Sequence, residues 1–184
     1  MKKIIFFLPA LFALTVQAQI YKSIEGTASF YSVAPLENID ATSKHLVSAI
    51  NKTNQDVVFE VGIASFEFKN KKMEEDFNQD FMDTEAYPVA SYKGKINEQV
   101  DWAKDGVYKV SSDGLLTIHG VGKSRKDQAT LTIKDGKVSM SGEFKVKIAD
   151  HKIKVPRILF EKIAEEVTVK FSVNYVQTSL QASK

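Results

Sequence analysis

The side chains that most often carry catalysis or bind metals are sparse and widely separated in this chain. The three histidines, His45, His119 and His151, lie far apart in the sequence, and there is no cysteine to join them. No His-x-x-x-His pair and no zinc-type spacing of ligands occurs. We therefore expect each histidine to be a hydrogen-bonded structural residue rather than a metal ligand.

The motifs of nucleophilic and phosphate chemistry are also missing. There is no Gly-x-Ser-x-Gly elbow, no cysteine nucleophile, and no cluster of glycines that could cradle a phosphate. Asp83 and Glu85 stand two residues apart, where a helix cap or a surface position explains them as well as catalysis does. Acid–base catalysis by either carboxylate with His119 has no support in the spacing. The sequence thus predicts no enzyme, no metal and no cofactor.

The sequence pattern predicts that the elements positioning any site are β-strands. Val167, Val169, Phe171, Val173 and Tyr175 share one face of a run whose other face is polar, and such alternation is typical of a half-buried strand. The same period appears at 24–33, 57–63, 89–96, 107–111, 115–121, 130–134 and 138–148. We count about eight or nine strands, which indicates a sandwich or a closed antiparallel barrel.

Tight turns and two helical segments interrupt the strands. Asp135-Gly136 supplies residues that tolerate the positive φ angles of a two-residue hairpin. The run 71–82 places Met73, Phe77 and Phe81 on one face, as an amphipathic helix does. A second short helix is predicted after Pro156, which suits a first helical turn.

The first 18 residues resemble a secretory leader of bacterial type. Lys2 and Lys3 precede an apolar run from Ile4 to Val16, and Val16-Gln17-Ala18 offers a cleavage site. The sequence therefore predicts a signal peptide at 1–18, one domain at 19–184, and a periplasmic or secreted protein. Without Lys2 and Lys3 the chain has 23 basic and 23 acidic side chains, a balance that argues against nucleic acid as a partner.

An outer-membrane barrel is the alternative that alternation alone leaves open. Such a barrel needs an apolar band facing lipid and girdles of aromatic residues. The amphipathic helix, the uneven strands, the single Trp and the polar end of the chain favour a protein whose apolar face points inward.

Three segments resemble the YceI-like family, whose members are exported bacterial proteins also described as polyisoprenoid-binding. They are Phe77-Asn78-Gln79-Asp80-Phe81-Met82-Asp83-Thr84-Glu85-Ala86-Tyr87-Pro88, Gly114-Leu115-Leu116-Thr117-Ile118-His119-Gly120-Val121, and the late strand with Gly142, Phe144, Val146 and Ile148. The early region departs from the family pattern, because His45-Leu46 lacks a glycine-rich continuation and Ser65-Phe66-Glu67-Phe68 replaces the usual loop.

The resemblance implies an all-β fold, an eight-stranded antiparallel barrel of lipocalin-like shape that holds a long apolar chain such as a polyisoprenoid, a quinone-like molecule or an acyl chain. Wall residues expected from it are Phe59, Val61, Ile63, Met140, Phe144, Val146, Ile148, Val169 and Phe171. Phe77, Phe81 and Met82 would cap the cavity, and Tyr87 or Tyr92 would meet a polar head. The alternative is an exported structural or interaction domain in which the same side chains fill a solid core and bind no ligand.

Overall fold

The computed structural model describes residues 19–33, 38–155 and 164–179. Within these ranges the chain forms ten strands and one short α-helix. The strands are β1 (Gln19–Val33), β2 (Asn38–Ser43), β3 (Val47–Asn51), β4 (Asp56–Gly62), β5 (Glu67–Phe68), β6 (Val89–Ile96), β7 (Gly106–Ile118), β8 (Val121–Lys134), β9 (Lys137–Lys147) and β10 (Glu166–Ser179). The helix, α1, spans Lys71–Asp76.

Eight of these strands close into an antiparallel barrel. They pair in the order β1-β3-β4-β6-β7-β8-β9-β10, and β10 pairs back onto β1 over most of its length. β1 is shared: Ile20–Lys22 pairs with β3, whereas Ala28–Val33 pairs with β2. β2 and the two-residue β5 thus extend the sheet outside the ring. The predicted eight-stranded barrel is confirmed.

Alternation places the apolar rows inside the barrel. On β10, Val173 and Tyr175 are buried, whereas the intervening Lys170, Ser172 and Asn174 are exposed. Lysines and glutamates occupy the outer rows, where Lys170 pairs with Glu143 on the neighbouring strand. The apolar face therefore turns inward, which is the orientation that the sequence favoured over an outer-membrane barrel.

Two hairpins share β8, one at each of its ends, and both have turns with positive φ at both central residues. These are His119-Gly120, with φ of 50° and 70°, and Asp135-Gly136, with φ of 51° and 73°. Such turns match the twist of antiparallel strands. The predicted turn at Asp135-Gly136 is confirmed, and His119 occupies a turn position.

Some predicted boundaries were wrong. The runs 107–111 and 115–121 are not two strands, because the chain stays extended through Ser112-Asp113-Gly114 and turns only at His119. The predicted helix 71–82 is α-helical only to Asp76 and continues as one π-helical turn over Phe77–Phe81, in which the Met82 N–H donates to the Phe77 carbonyl. The predicted second helix after Pro156 falls in 156–163, outside the described residues.

The end of the barrel remote from α1 is closed by side chains. The Gln55 amide donates to the Ile96 carbonyl at 3.0 Å and accepts from the Val100 N–H at 3.3 Å, which ties the following loop across the opening. The ring of Trp102, in that loop, lies 5.4 Å from the ring of Tyr21. These contacts form a floor beneath the barrel interior.

Tyr175 anchors this floor. Its hydroxyl lies 2.7 Å from the Ser48 hydroxyl, and the Ser48 hydroxyl donates to the Val58 carbonyl at 2.7 Å. Because the Ser48 hydroxyl donates its single proton to the Val58 carbonyl, the Tyr175 hydroxyl is the donor in its hydrogen bond with Ser48. Burial raises the pKa of Tyr175.

The backbone of β1 at Gly26 lies close to the backbone at Leu46. The β1–β10 register shifts between Ser23 and Glu25, and the Gly26 carbonyl accepts from the Leu46 N–H at 3.2 Å. A β-carbon on residue 26 would lie 2.1 Å from the Leu46 carbonyl oxygen. Only glycine fits this contact without moving the backbone.

We expect Gly26→Ala to lower the free energy of unfolding by at least about 1–3 kcal/mol, the usual cost of overpacking. Gly62→Ala is the matched control, because a β-carbon there meets only the Ser65 hydroxyl at 3.9 Å. Urea unfolding of both variants measures the difference. Equal stability of the two variants would show that the Gly26 contact is not tight.

We expect Tyr175→Phe to cost about 1 kcal/mol at neutral pH, the usual worth of one hydrogen bond, and to change the response to alkali. The unfolded chain releases the tyrosine proton near pH 10, whereas the raised pKa of Tyr175 keeps it bound in the folded state. Folding stability therefore falls as pH rises above about 10. Urea midpoints between neutral pH and pH 11 should fall less steeply in Tyr175→Phe; parallel curves would contradict this assignment.

Candidate functional site

A cavity of about 440 Å³ occupies the barrel between the floor and α1. It reaches down to Val57, Ile96 and Val110 and up to the residues of α1 and the π-helical turn. Its volume is within the range of about 300–1,000 Å³ that small-molecule sites occupy. The barrel is therefore hollow, and the inward rows do not form a solid core along its whole length.

The structure brings thirteen of the fourteen predicted binding residues to the wall of this cavity. They are Phe59, Val61, Ile63, Phe77, Phe81, Met82, Tyr92, Met140, Phe144, Val146, Ile148, Val169 and Phe171. They come from β4, β6, β9 and β10, from the segment between β4 and β6, and from the turn at Ile148 that follows β9. Contact of these side chains with a ligand stays a prediction.

Tyr87 lies elsewhere. The Ala86 and Tyr87 N–H groups both donate to the Asp83 carbonyl, which forms a tight turn after the π-helical segment. This turn directs the Tyr87 ring toward the β7–β8 hairpin, where it packs 4.3 Å from the His119 ring. Of the two tyrosines predicted to meet a polar head, Tyr92 is the one on the cavity wall.

Several lining residues escaped the sequence prediction. Phe30, Phe66 and Phe68 line the cavity, as do Ala129 and Leu116. Phe30 follows the period of Ala28 and Ser32 on β1, so alternation alone could have assigned it to the inner face. Phe66 precedes the two-residue strand β5 and Phe68 ends it, and only the fold shows which way the two rings point.

Four phenylalanines, Phe30, Phe66, Phe68 and Phe77, form an aromatic cluster at the mouth of the cavity, here called the mouth cluster. The Phe77 ring lies 5.4 Å from Phe30, 5.0 Å from Phe68 and 6.1 Å from Phe66, measured between centroids. Such offset and edge-on pairs are each worth about 0.5–1.5 kcal/mol beyond burial. The mouth is therefore lined by rings that hold one another in place.

Hydrogen bonds fix α1 over the mouth. The Asn70 side chain caps the helix by accepting from the Lys72 N–H at 2.8 Å. The Glu74 carboxylate accepts from the Phe68 N–H at 3.2 Å. The hydrogen bond from the Lys71 ammonium and then this backbone bond lower the pKa of Glu74. The helix that carries Phe77 is thus tied to the strand that carries Phe68.

Glycines in the wall make room for aromatic rings that lie flat against it. A β-carbon on Gly114 would lie 2.5 Å from the Tyr92 ring, and one on Gly94 would lie 2.7 Å from it. Gly142 stands in the same relation to Phe171, at 2.6 Å. Because these rings lie along the wall, they leave the middle of the barrel open.

A polar region on β6, β7 and β8 interrupts the apolar wall. The Tyr92 hydroxyl lies 2.7 Å from the Ser112 hydroxyl, and both residues line the cavity with Asp127. Asp127 forms an ion pair with Arg125, and the Arg125 Nη2 atom lies 2.7 Å from the carboxylate. Burial raises the pKa of Tyr92, and the nearby carboxylate of Asp127 adds to that rise.

His119 and His151 have structural surroundings, whereas His45 contributes its backbone N–H, which donates to the Ser43 hydroxyl. The Nδ1 atom of His151 lies 2.9 Å from the Val121 carbonyl, and that of His119 lies 3.3 Å from the His151 carbonyl. These bonds fasten the segment after β9 to the β7–β8 hairpin. Over the described ranges, no group of three or more His, Cys, Asp or Glu side chains is placed to hold a metal ion.

The described part of the chain has no helix of the length and apolar character needed to cross a membrane.

Comparison with known proteins identifies a family. The sequence model of the YceI-like domain matches residues 14–175. A polyisoprenoid-binding domain from Saccharophagus degradans, implicated in plant cell wall breakdown, superposes with a TM-score of 0.74 at 17% identity, over 88% of this chain and 99% of that one. BcnA from Burkholderia cenocepacia gives a TM-score of 0.69 at 19% identity, over 81% and 95%. No curated protein sequence matches. At these identities the structural likeness establishes the shared fold.

We expect Phe77→Ala to speed the release of an apolar fluorescent probe such as N-phenyl-1-naphthylamine by roughly two- to tenfold, because the mouth cluster loses its central ring. Val107→Ala, an exposed apolar truncation on β7 near the closed end, is the control and should release the probe at the wild-type rate. Stopped-flow fluorescence measures both rates. Identical rates in all three proteins would mean that the probe does not pass the mouth cluster.

Proposed function

Because the chain belongs to the YceI-like family, we propose that it is a non-enzymatic carrier or storage protein that holds one long apolar chain inside its barrel. The observation that carries this proposal is the hollow interior, whose wall consists mainly of apolar and aromatic side chains. The floor closes one end and the mouth cluster lines the other. This shape suits a ligand that enters lengthwise.

The energy of burial is sufficient without covalent chemistry. Removing about ten methylene groups from water contributes about 0.8 kcal/mol each, or roughly 8 kcal/mol before the cost of ordering the ligand. An apolar chain would therefore leave water for the cavity spontaneously. Rings held flat by Gly94, Gly114 and Gly142 preorganise the wall, which reduces the ordering cost on the protein side.

The ligand class we propose is a polyisoprenoid, a quinone-like molecule or an acyl chain. Each is long, flexible and apolar along most of its length, as the lining requires. The similar domain from Saccharophagus degradans is described as polyisoprenoid-binding, which supports the first of these. The side chains of His119 and His151 contact backbone carbonyls, and this supports a binding role rather than a catalytic one.

We further propose that the protein is exported and acts in the periplasm or outside the cell. This rests on the basic, apolar and small-residue pattern of residues 1–18. A carrier would be useful there, since an apolar chain does not cross an aqueous compartment unaided.

Mass spectrometry of the organic extract from protein purified without detergent tests the proposal. We expect an apolar compound in near-stoichiometric amount from wild type. Ala129→Leu adds bulk to the cavity wall and should reduce the amount extracted severalfold, whereas Ala103→Leu, on the exposed loop after Val100, should not.

An extract that stays empty across several expression hosts, together with failure of added isoprenoid or fatty alcohol to bind, would overturn the carrier proposal. Equal loading of Ala129→Leu and wild type would place the ligand outside this cavity.

A further inference from the structure

The barrel wall opens between β8 and β9. Their pairing runs from Lys134 with Lys137 to Ala129 with Gly142 and ends there. Beyond that point β8 continues to pair with β7 as far as Val121, and β9 continues to pair with β10 as far as Lys147. Each strand keeps one partner while the two part from each other, which leaves a gap in the wall beside the cavity.

Arg125 crosses this gap. It lies on β8 in the inward row that continues through Asp127 and Ala129 to the buried Leu131. Its guanidinium lies 4.5 Å from the centre of the Phe144 ring, on the inner face of β9, and donates to the Lys145 carbonyl at 3.1 and 3.2 Å. A side-chain bridge thus replaces the missing backbone pairing.

The bridge leaves hydrogen-bonding capacity on Asp127, which lines the cavity. The Arg125 guanidinium has five N–H groups, of which two contact Asp127 and two contact the Lys145 carbonyl, so one N–H of Nη1 remains. Each Asp127 oxygen accepts one of these bonds and can accept another. The remaining N–H lies on the edge of the guanidinium that faces away from Asp127, so the free capacity on the cavity side is the Asp127 acceptor.

The Tyr92–Ser112 pair adjoins this site. Ser112 stands opposite Asp127 in the β7–β8 register, so the two side chains are neighbours on the inner face. The hydroxyl of Tyr92 reaches Ser112 from β6. The polar region thus spans three strands, and its net charge is zero because Asp127 neutralises Arg125.

We propose that this polar region, formed by Arg125, Asp127, Tyr92 and Ser112, binds the head group of the ligand and selects an uncharged hydroxyl head over a phosphate. This rests on the proposed function, since the head group contacts this region only when the apolar chain of the ligand is in the cavity. A hydroxyl both donates and accepts, so it can donate to Asp127 and accept from the Ser112 hydroxyl that lies opposite Asp127 in the β7–β8 register. A phosphate would face the Asp127 carboxylate, whose charge already neutralises that of Arg125.

Under this proposal the ion pair between Arg125 and Asp127 selects the head group as well as bridging the gap between β8 and β9. A purely structural bridge would have no effect on which of several equal-length ligands binds. Head-group selectivity is therefore the property that separates the two roles.

The test is displacement of N-phenyl-1-naphthylamine by three ligands of equal chain length, dodecane, dodecanol and dodecyl phosphate, each below its aggregation threshold. We expect wild type to bind dodecanol roughly tenfold more tightly than dodecane, as one hydrogen bond to a charged group provides, and to bind the phosphate more weakly than the alcohol.

Asp127→Asn keeps the shape but frees the charge of Arg125, so the phosphate should now bind more tightly than the alcohol. The double variant R125L/D127L should bind all three ligands alike. Glu143→Gln is the matched control: it removes one carboxylate from the outer face of β9, where Glu143 pairs with Lys170, and should keep the wild-type order.

The outcomes separate this inference from the proposed function. If none of the three ligands displaces the probe, the carrier proposal fails. If all bind wild type alike, or if the phosphate binds best, the head-group inference is overturned while the cavity remains a binding site. The wild-type ranking needs no variant, so the inference can fail even where Asp127→Asn does not fold.

Discussion

The pairing of β10 with β1 is the constraint on which the rest of the molecule depends. It joins the last described strand to the first and turns a sheet with two edges into a closed wall. Closure of eight strands gives an interior wide enough to be filled by side chains or to hold one small ligand. Which of the two occurs depends on the inward residues, and here they leave about 440 Å³ open.

Small residues at particular inward positions keep the interior open. Gly94 and Gly114 lie beneath the Tyr92 ring, and Gly142 lies beneath Phe171, so large rings occupy the wall rather than the centre. Toward the floor the same rows carry Leu131, Ile133 and Val138, which are buried and pack across the barrel. The inward residues thus pack against one another near the floor and line the cavity farther along the strands.

The sequence predicted the ring of strands because alternation is a local signal. The row from Val167 to Tyr175 shows its inward face without any knowledge of its neighbours, and so do Phe59 and Val61. β2, β3 and β5 were missed. β5 has only two residues, and the inward positions of β2 and β3 include small or polar side chains such as Ala41, Ser43 and Ser48, which weaken the alternation. Tyr87 was misplaced because its direction depends on the turn around Asp83, which the residue types do not reveal.

Arg125 and Asp127 show where a local signal was present but obscured. In the run Lys123-Ser124-Arg125-Lys126-Asp127 they read as part of a solvated charged segment. The alternation of Leu131 and Ile133, extended back along β8, places both on the inner face, where their side chains are 22% and 17% exposed. The parting of β8 from β9 depends on pairing between strands and could not be read from either strand alone.

The most direct test of a ligand-holding barrel is nuclear Overhauser spectroscopy on the protein loaded with a protonated long-chain alcohol. A ligand-holding barrel should give cross-peaks from the alcohol chain to side chains of the inner wall, such as Met140, Val146 and Phe171. Cross-peaks confined to apolar side chains exposed on the outer surface, such as Ile24 and Val47, would contradict it.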